Sequence, residues 1–365
     1  MKIQVSPPPV IDFNQARDTP LPMPGRRQTT AVAEPVSPEP ATEQLARNAL
    51  RRYAPDAAGG ILTLLPPGCA GAVPFVVETR RGKVCLKVRR DPADIVETSP
   101  RRKRRAELDD LIGEAKRAQW AGDRKHGPAV RFIDDRVGAY ACDFVAGRAV
   151  SPATAGGKYL PAFMAAMHRL HATSPEALPP PGPRNWICDQ KLESCLTRAE
   201  VRQPRSYVTS VLQLERGIEM LLARAIYRPA PIHDDLHPGN SILTDTGVVL
   251  IDWAGLKLHD PMIDLGHFAF WTDLPMRHTS TMVKLYDAAG AAEGVTAGPE
   301  ALQRLQLRLT WFRVKTMVFF EQWPRTRERA RQYRSLLFED VAAVRQSLAD
   351  NLGLRFSSDT LTGTG

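Results

Sequence analysis

His233-Asp234-Asp235-Leu236-His237-Pro238-Gly239-Asn240 is followed, after one short hairpin, by Val249-Leu250-Ile251-Asp252-Trp253. Asp235 and Asn240 stand five residues apart, and a second acid, Asp252, emerges at the end of an apolar strand. An acid, an amide and a further acid in that order supply what phosphoryl transfer needs: a carboxylate to orient a nucleophile and two oxygen ligands for Mg²⁺. Residues 242–243 and 248–251 read as a hairpin around Thr244-Asp245-Thr246-Gly247, so loop, hairpin and acid fold back to one point.

Upstream, Phe75-Val76-Val77 and Val84-Cys85-Leu86-Lys87-Val88 flank Arg80-Arg81-Gly82-Lys83 and read as an antiparallel hairpin. Period-two alternation sets Lys87 on the face opposite Val84, Leu86 and Val88. Residues 107–120 have helical spacing through Leu108, Leu111, Ile112 and Ala115, with Glu107 and Glu114 on one face. Ala139 through Gly147 reads as a strand running into a turn, after which helical patterns dominate at 160–171, 207–225, 276–289, 301–320 and 328–352. The expected organisation is a proline-rich disordered leader (1–42), a sheet-rich lobe (43–146), a helical lobe (147–356) and a loose tail (357–365).

The catalytic segment resembles that of the aminoglycoside phosphotransferase and choline kinase group of small-molecule kinases, whose loop reads H-G-D-x-H-x-x-N and whose metal acid follows in I-D-W or I-D-F. The likeness continues into Asp260-Pro261-Met262-Ile263-Asp264-Leu265, similar to the family's D-P-x-x-D-L. It implies a two-lobed α+β protein-kinase-like fold with ATP and Mg²⁺ in the cleft. Within it, Asp235 would orient and deprotonate the substrate hydroxyl, Asn240 and Asp252 would hold Mg²⁺, His233 would brace the loop and Asp264 would support it. Lys87 would contact the α and β phosphates, paired with Glu114, which is preferred to Glu107 because Gly127-Pro128-Ala129-Val130 follows it at the family's distance. Backbone groups of Asp143 and Val145, in Asp143-Phe144-Val145, would hydrogen-bond adenine. Gly68-Cys69-Ala70-Gly71 precedes the hairpin where a phosphate-covering loop is expected but is no G-x-G-x-x-G. Asp234 stands where the family has glycine, and the D-x-x-x-x-N spacing favours Asp235 over it as the catalytic acid.

Composition sets outer bounds. The 365 residues are 43% hydrophobic and 24% charged, an ordinary globular balance. Lys plus Arg number 49 against 40 Asp plus Glu, a net +9 that suits an anionic ligand without choosing one. No nucleic acid is expected as partner. Five cysteines, scattered and without CxxC spacing, indicate neither a disulfide framework nor a zinc site, so a reducing, cytoplasmic compartment is expected, with the leader as a linker or an export address. The apolar stretch 302–320 is interrupted by Arg304, Arg308, Arg313 and Lys315, so no membrane span is expected. Arg101-Arg102-Lys103-Arg104-Arg105 reads as a solvated insertion or as a patch for an acidic partner.

Eleven residues separate Asp252 from Asp264 and no A-P-E element follows, so the segment on which protein kinases seat a peptide is missing. A small-molecule hydroxyl is therefore the expected acceptor: an amino alcohol, sugar, nucleoside or anionic metabolite. The alternatives are a delivered effector or atypical protein kinase acting on a protein, and a kinase-fold binding protein without activity. A metal-hydrolase cluster of His233, Asp234, Asp235 and His237 would leave the downstream acids unexplained.

Overall fold

The computed structural model describes residues 40–65, 72–80, 82–90, 111–149, 159–182, 192, 205–291, 296–298, 300–321 and 327–355. The expected glycine loop at 68–71, the basic run at 101–105, Glu107 and the tail lie outside these residues, as does the leader up to residue 39. Helix α1 (Pro40–Tyr53) begins inside the stretch expected to be leader, and Thr42 is buried in it.

The first lobe is built on the strands β1 (Leu62–Leu64), β2 (Ala72–Thr79), β3 (Gly82–Arg89), β4 (Val130–Asp134) and β5 (Ala139–Asp143), antiparallel in the order β1-β2-β3-β5-β4. Alternation sorts its side chains as the sequence indicated. Val73, Phe75 and Val77 of β2, Val84, Leu86 and Val88 of β3, and Ala139 and Ala141 of β5 form one cluster with Ala46, Ala49 and Leu50 of α1. Lys87 therefore points to the other face, beside its cross-strand partner Tyr140 and toward helix α2 (Leu111–Asp123). A helix on each face lets the narrow sheet bury both sides, which a bare hairpin could not do.

The second lobe contains α3 (Tyr159–Ala172), α4 (Arg205–Arg224), α5 (Met262–Trp271), α6 (Thr279–Gly290), α7 (Ala301–Glu321) and α8 (Arg327–Leu352). Two small sheets lie against them: β6 (Arg148–Ala149), β8 (Ser241–Thr244) and β9 (Gly247–Leu250) in the order β6-β8-β9, and β7 (Ala230–Ile232) paired with β10 (Lys257–His259). The turn between β8 and β9 closes on Gly247 at φ +131°, a conformation that L side chains rarely adopt.

The sequence pattern located β2, β3, β5 and helices α3, α4, α7 and α8, but not α1, β4 or α5, and it joined residues 276–289 into one helix. A 3₁₀ turn at Met276–His278 precedes α6 instead. Helix α5 is buried at every position from Met262 to Trp271, so it shows no amphipathic period to read. Helix α7 is also largely enclosed, and its charges are absorbed by partners on neighbouring elements. Arg304 Nε meets Asp260 at 3.3 Å, Arg313 Nη1 meets Asp340 at 2.5 Å and Lys315 Nζ meets Glu215 at 3.3 Å. Burial lifts the Asp340 carboxyl to about 6 even though the Arg313 charge opposes the rise. Among the described residues no helix is long and apolar enough to cross a membrane.

Phe75 lies fully buried between sheet and α1. Phe75→Ala is expected to destabilise the chain by about 3–5 kcal/mol through lost transfer energy and the cavity left behind. Denaturant titration followed by far-UV circular dichroism measures it.

Candidate active site

The site lies where the sheet's second face meets the loop after β7. Lys87 Nζ donates to Glu114 Oε1 at 2.7 Å and to Asp252 Oδ1 at 3.1 Å, so one ammonium joins β3, α2 and the end of β9. The Tyr140 hydroxyl donates to the same Glu114 oxygen at 2.6 Å. Burial works against the charge on Lys87, but Asp252 and Glu114 outweigh it and hold the ammonium well above the ordinary lysine range. The Lys87 charge in turn keeps the Asp252 carboxyl below the usual carboxylate range, against the effect of burial.

Beneath the loop, Asp264 at the start of α5 binds it by its backbone. Its Oδ2 accepts from the His233 N–H at 2.8 Å and its Oδ1 from the Asp234 N–H at 2.8 Å. His171 of α3 sits 3.1 Å from Oδ2, and its other ring nitrogen is 3.0 Å from the Tyr286 hydroxyl. Burial pushes Asp264 up, but the hydrogen bond and charge of His171, with His233, bring its carboxyl below the ordinary value. The His233 ring reaches the Ile251 carbonyl at 2.9 Å and packs on Trp253. Burial lowers its pKa, which keeps the ring neutral at physiological pH and suits a structural brace.

Two of the acids occupy left-handed backbone, Asp234 at φ +62° and Asp252 at φ +67°. Asp is among the few residues other than glycine that visit this region, and then as single residues. That explains how Asp234 stands where glycine was expected. Its buried carboxylate pairs with Lys257 of β10, underneath the loop. Asp235 is only partly buried. Asn240 donates from Nδ2 to the Asp235 carbonyl at 2.8 Å, and its own carbonyl accepts from the Ile251 N–H at 2.9 Å, which sets the Asn240 and Asp252 segments side by side.

The residues fit a magnesium site of the substrate-bridged kind. Among the described residues no three His, Cys, Asp or Glu side chains cluster to hold a metal alone. Mg²⁺ takes one or two protein oxygens and completes its shell with phosphate and water. With Nδ2 donating to Asp235, the Asn240 amide keeps Oδ1 for a cation, and Asp252 keeps Oδ2 while Oδ1 meets Lys87.

At the strand end, the Phe144 N–H donates to the Lys83 carbonyl at 3.1 Å, which fixes the path of residues 143–145. The Asp143 carboxylate is held by Arg131 at 2.5 and 2.8 Å, and its N–H donates to the Ala129 carbonyl at 2.9 Å. Sequence reasoning missed Tyr140, His171 and Lys257. Tyr140 was recoverable, because β3–β5 pairing sets it opposite Lys87. The other two come from elements whose packing no local pattern announces.

A sheet lobe carrying a lysine–glutamate pair, over a helical lobe carrying an acid loop and a hairpin acid, defines the protein-kinase-like fold. Residues 65–305 match the model of the phosphotransferase enzyme family. The chain belongs to that family and is a phosphotransferase. It is similar in structure to a choline/ethanolamine kinase family protein from Mesorhizobium loti, with 18% identity, TM-score 0.56, and 88% of this chain and 99% of that one covered. Choline kinase from Cryptosporidium parvum Iowa II matches with 11% identity, TM-score 0.58 and coverage of 84% and 97%. Choline kinase LicA from Streptococcus pneumoniae matches with 13% identity, TM-score 0.54 and coverage of 85% and 99%, and LicA in complex with AMP also matches. At these identities the likeness shows the fold. A comparison with curated proteins finds no match.

Asp264→Asn keeps the shape but leaves one buried loop N–H facing an amide NH₂. It is expected to cost about 1–3 kcal/mol at neutral pH, the range for an unsatisfied buried donor. Because the folded-state pKa of Asp264 lies below its unfolded value, its contribution is complete above the ordinary Asp pKa of about 3.9 and is lost as pH falls through the folded value. The stability gap between wild type and variant, from denaturant titrations across pH 2–7, therefore narrows only at the acid end.

Proposed function

We propose that the chain transfers the γ-phosphoryl group of ATP to a hydroxyl of a small molecule in a Mg²⁺-dependent reaction. The observation that carries this reading is Lys87 Nζ held at once by Glu114 and Asp252, one from each lobe. An ammonium fixed there is a point charge suited to the α and β phosphates, with the adenine edge against the backbone of Asp143 and Val145. Asn240 and Asp252 would hold Mg²⁺, which supplies positive charge at the transferring phosphate's oxygens when bound. Asp235 orients the acceptor hydroxyl and takes its proton as the oxygen attacks in line. His233 and Asp264 keep the loop that presents Asp235 rigid, so that little reorganisation is left for the reaction itself.

The connection after Asp252 supports a small acceptor. A 3₁₀ turn (Trp253–Gly255) and the three residues of β10 lead directly to α5. Every residue from 252 to 264 is thus used in packing or in reaching the next element, which leaves no loop on which a peptide could lie. The choline and ethanolamine kinases among similar structures put amino alcohols first among acceptors to assay.

The pairing of Asp234 with Lys257 favours Asp235 as the proton acceptor. Asp235→Asn is expected to lower kcat by about 10²–10⁴-fold, the usual contribution of a general base, while Mg–ATP binding persists. Asp234→Asn, which keeps the left-handed turn, is expected to stay within about tenfold of wild type. Steady-state kinetics over a panel of amino alcohols, sugars and nucleosides, with Mg–ATP affinity measured calorimetrically, decides it. Full activity in Asp235→Asn, or its loss only in Asp234→Asn, would reassign the base.

A further inference from the structure

Cys85 and Cys142 are free and directly opposed across β3 and β5. Cys85 shares the face of Lys87 two residues on, and Cys142 shares that of Tyr140, so both thiols lie on the site side of the sheet rather than in the cluster under α1. Cys85 lies in the electrostatic neighbourhood of Lys87, Asp252 and Glu114, and Cys142 immediately precedes Asp143-Phe144-Val145. The two side chains hydrogen-bond to each other.

The strand register allows a covalent bond between them. The Phe144 N–H to Lys83 carbonyl bond makes 83/144 a hydrogen-bonded pair, and pairs two residues along an antiparallel ladder are of the same kind, so 85/142 is one too. Such a pair holds its Cα atoms about 5.5 Å apart, inside the window a disulfide spans. Its Cβ atoms stand at the wide end of about 4.5–5.5 Å and must draw together, which strains the bond and makes it easily reduced.

We propose that Cys85 and Cys142 are a reversible disulfide site set in the nucleotide pocket, whose closure weakens Mg–ATP binding. The proposal rests on the nucleotide placement argued above. The oxidant is a low-molecular-weight disulfide of the glutathione class. Cys85 as thiolate attacks one of its sulfurs and expels a thiolate, leaving a mixed disulfide. Cys142 yields its proton to that thiolate and attacks Cys85 Sγ, expelling a second thiolate, which takes up the proton that Cys85 released. Two protein thiols are oxidised and one external disulfide becomes two thiols. The hydrogen bond from Cys142 lowers the Cys85 thiol pKa and raises that of Cys142 well above the ordinary range, which makes Cys85 the first nucleophile. Drawing the two strands together moves Lys87 and the 143–145 backbone, the two groups that would hold phosphate and adenine.

The full-length chain, reduced and then exposed to oxidised glutathione, is digested without reductant and mapped for a peptide linking Cys85 to Cys142. Cys69, Cys188 and Cys195 are replaced by Ser so that no other pairing forms. Expected are the linked peptide, a fall in Mg–ATP affinity of about tenfold or more, recovery with dithiothreitol, and slower linking when Mg–ATP is present. Cys85→Ser and Cys142→Ser, each compared with itself before and after oxidant, should lose the response. Absence of the linked peptide overturns the proposal, as does a linked chain that binds Mg–ATP as well as the reduced one. A reduced chain that binds no Mg–ATP strikes the proposed function instead, and the peptide map still decides whether the dithiol closes.

Discussion

One buried ammonium ties the two lobes together. Lys87 leaves β3 on the face away from α1, and its charge is tolerated there only because Glu114 and Asp252 surround it. Each of the three is placed by a different element: the β-alternation of β3, the face of α2 that meets the sheet, and the left-handed turn at the end of β9. Losing any one leaves the others as uncompensated charge in a partly desolvated cleft. The architecture of both lobes is therefore coupled to a single electrostatic arrangement.

The same logic recurs below the loop. Asp264 satisfies two backbone N–H groups that would otherwise be buried without partners, and His171 and Tyr286 extend the network into α3 and α6. Asp260, four residues earlier, faces Arg304 and Arg308 of α7. Arg313 and Lys315 carry the pattern on to α8 and α4. Charges that break the apolar run of α7 in the sequence are thus the contacts that orient the helices around it. They do this at the expense of desolvation, which makes their geometry more constraining than stabilising.

Much of the site was legible because its chemistry is concentrated in a short stretch. Asp235, Asn240, Asp252 and Asp264 lie within thirty residues, and their spacing is set by one loop and one hairpin. The face of Lys87 was legible from alternation, since Val84, Leu86 and Val88 name the core face, while its role came from the family resemblance. Glu114 was harder, because the sequence pattern offered Glu107 and Glu114 on one face of the expected helix, and only the approach of β3 to α2 shows that Glu114 meets the lysine. Helix α5 and strand β4 escaped notice because one is buried all round and the other does not alternate cleanly between buried and exposed positions, so neither carries the one-sided pattern that periodicity detects.

The sequence by itself determined the order of the acids, the strand face of Lys87 and the family to which the segment is similar, because these depend on residues near one another in the chain. Tertiary structure decided the rest. That Asp234 is turned to Lys257, that His171 backs Asp264, and that two scattered cysteines stand opposite one another all depend on residues from 23 to 93 positions apart meeting. Such meetings follow from how helices and sheets pack, and packing is a property of the whole chain rather than of any window in it.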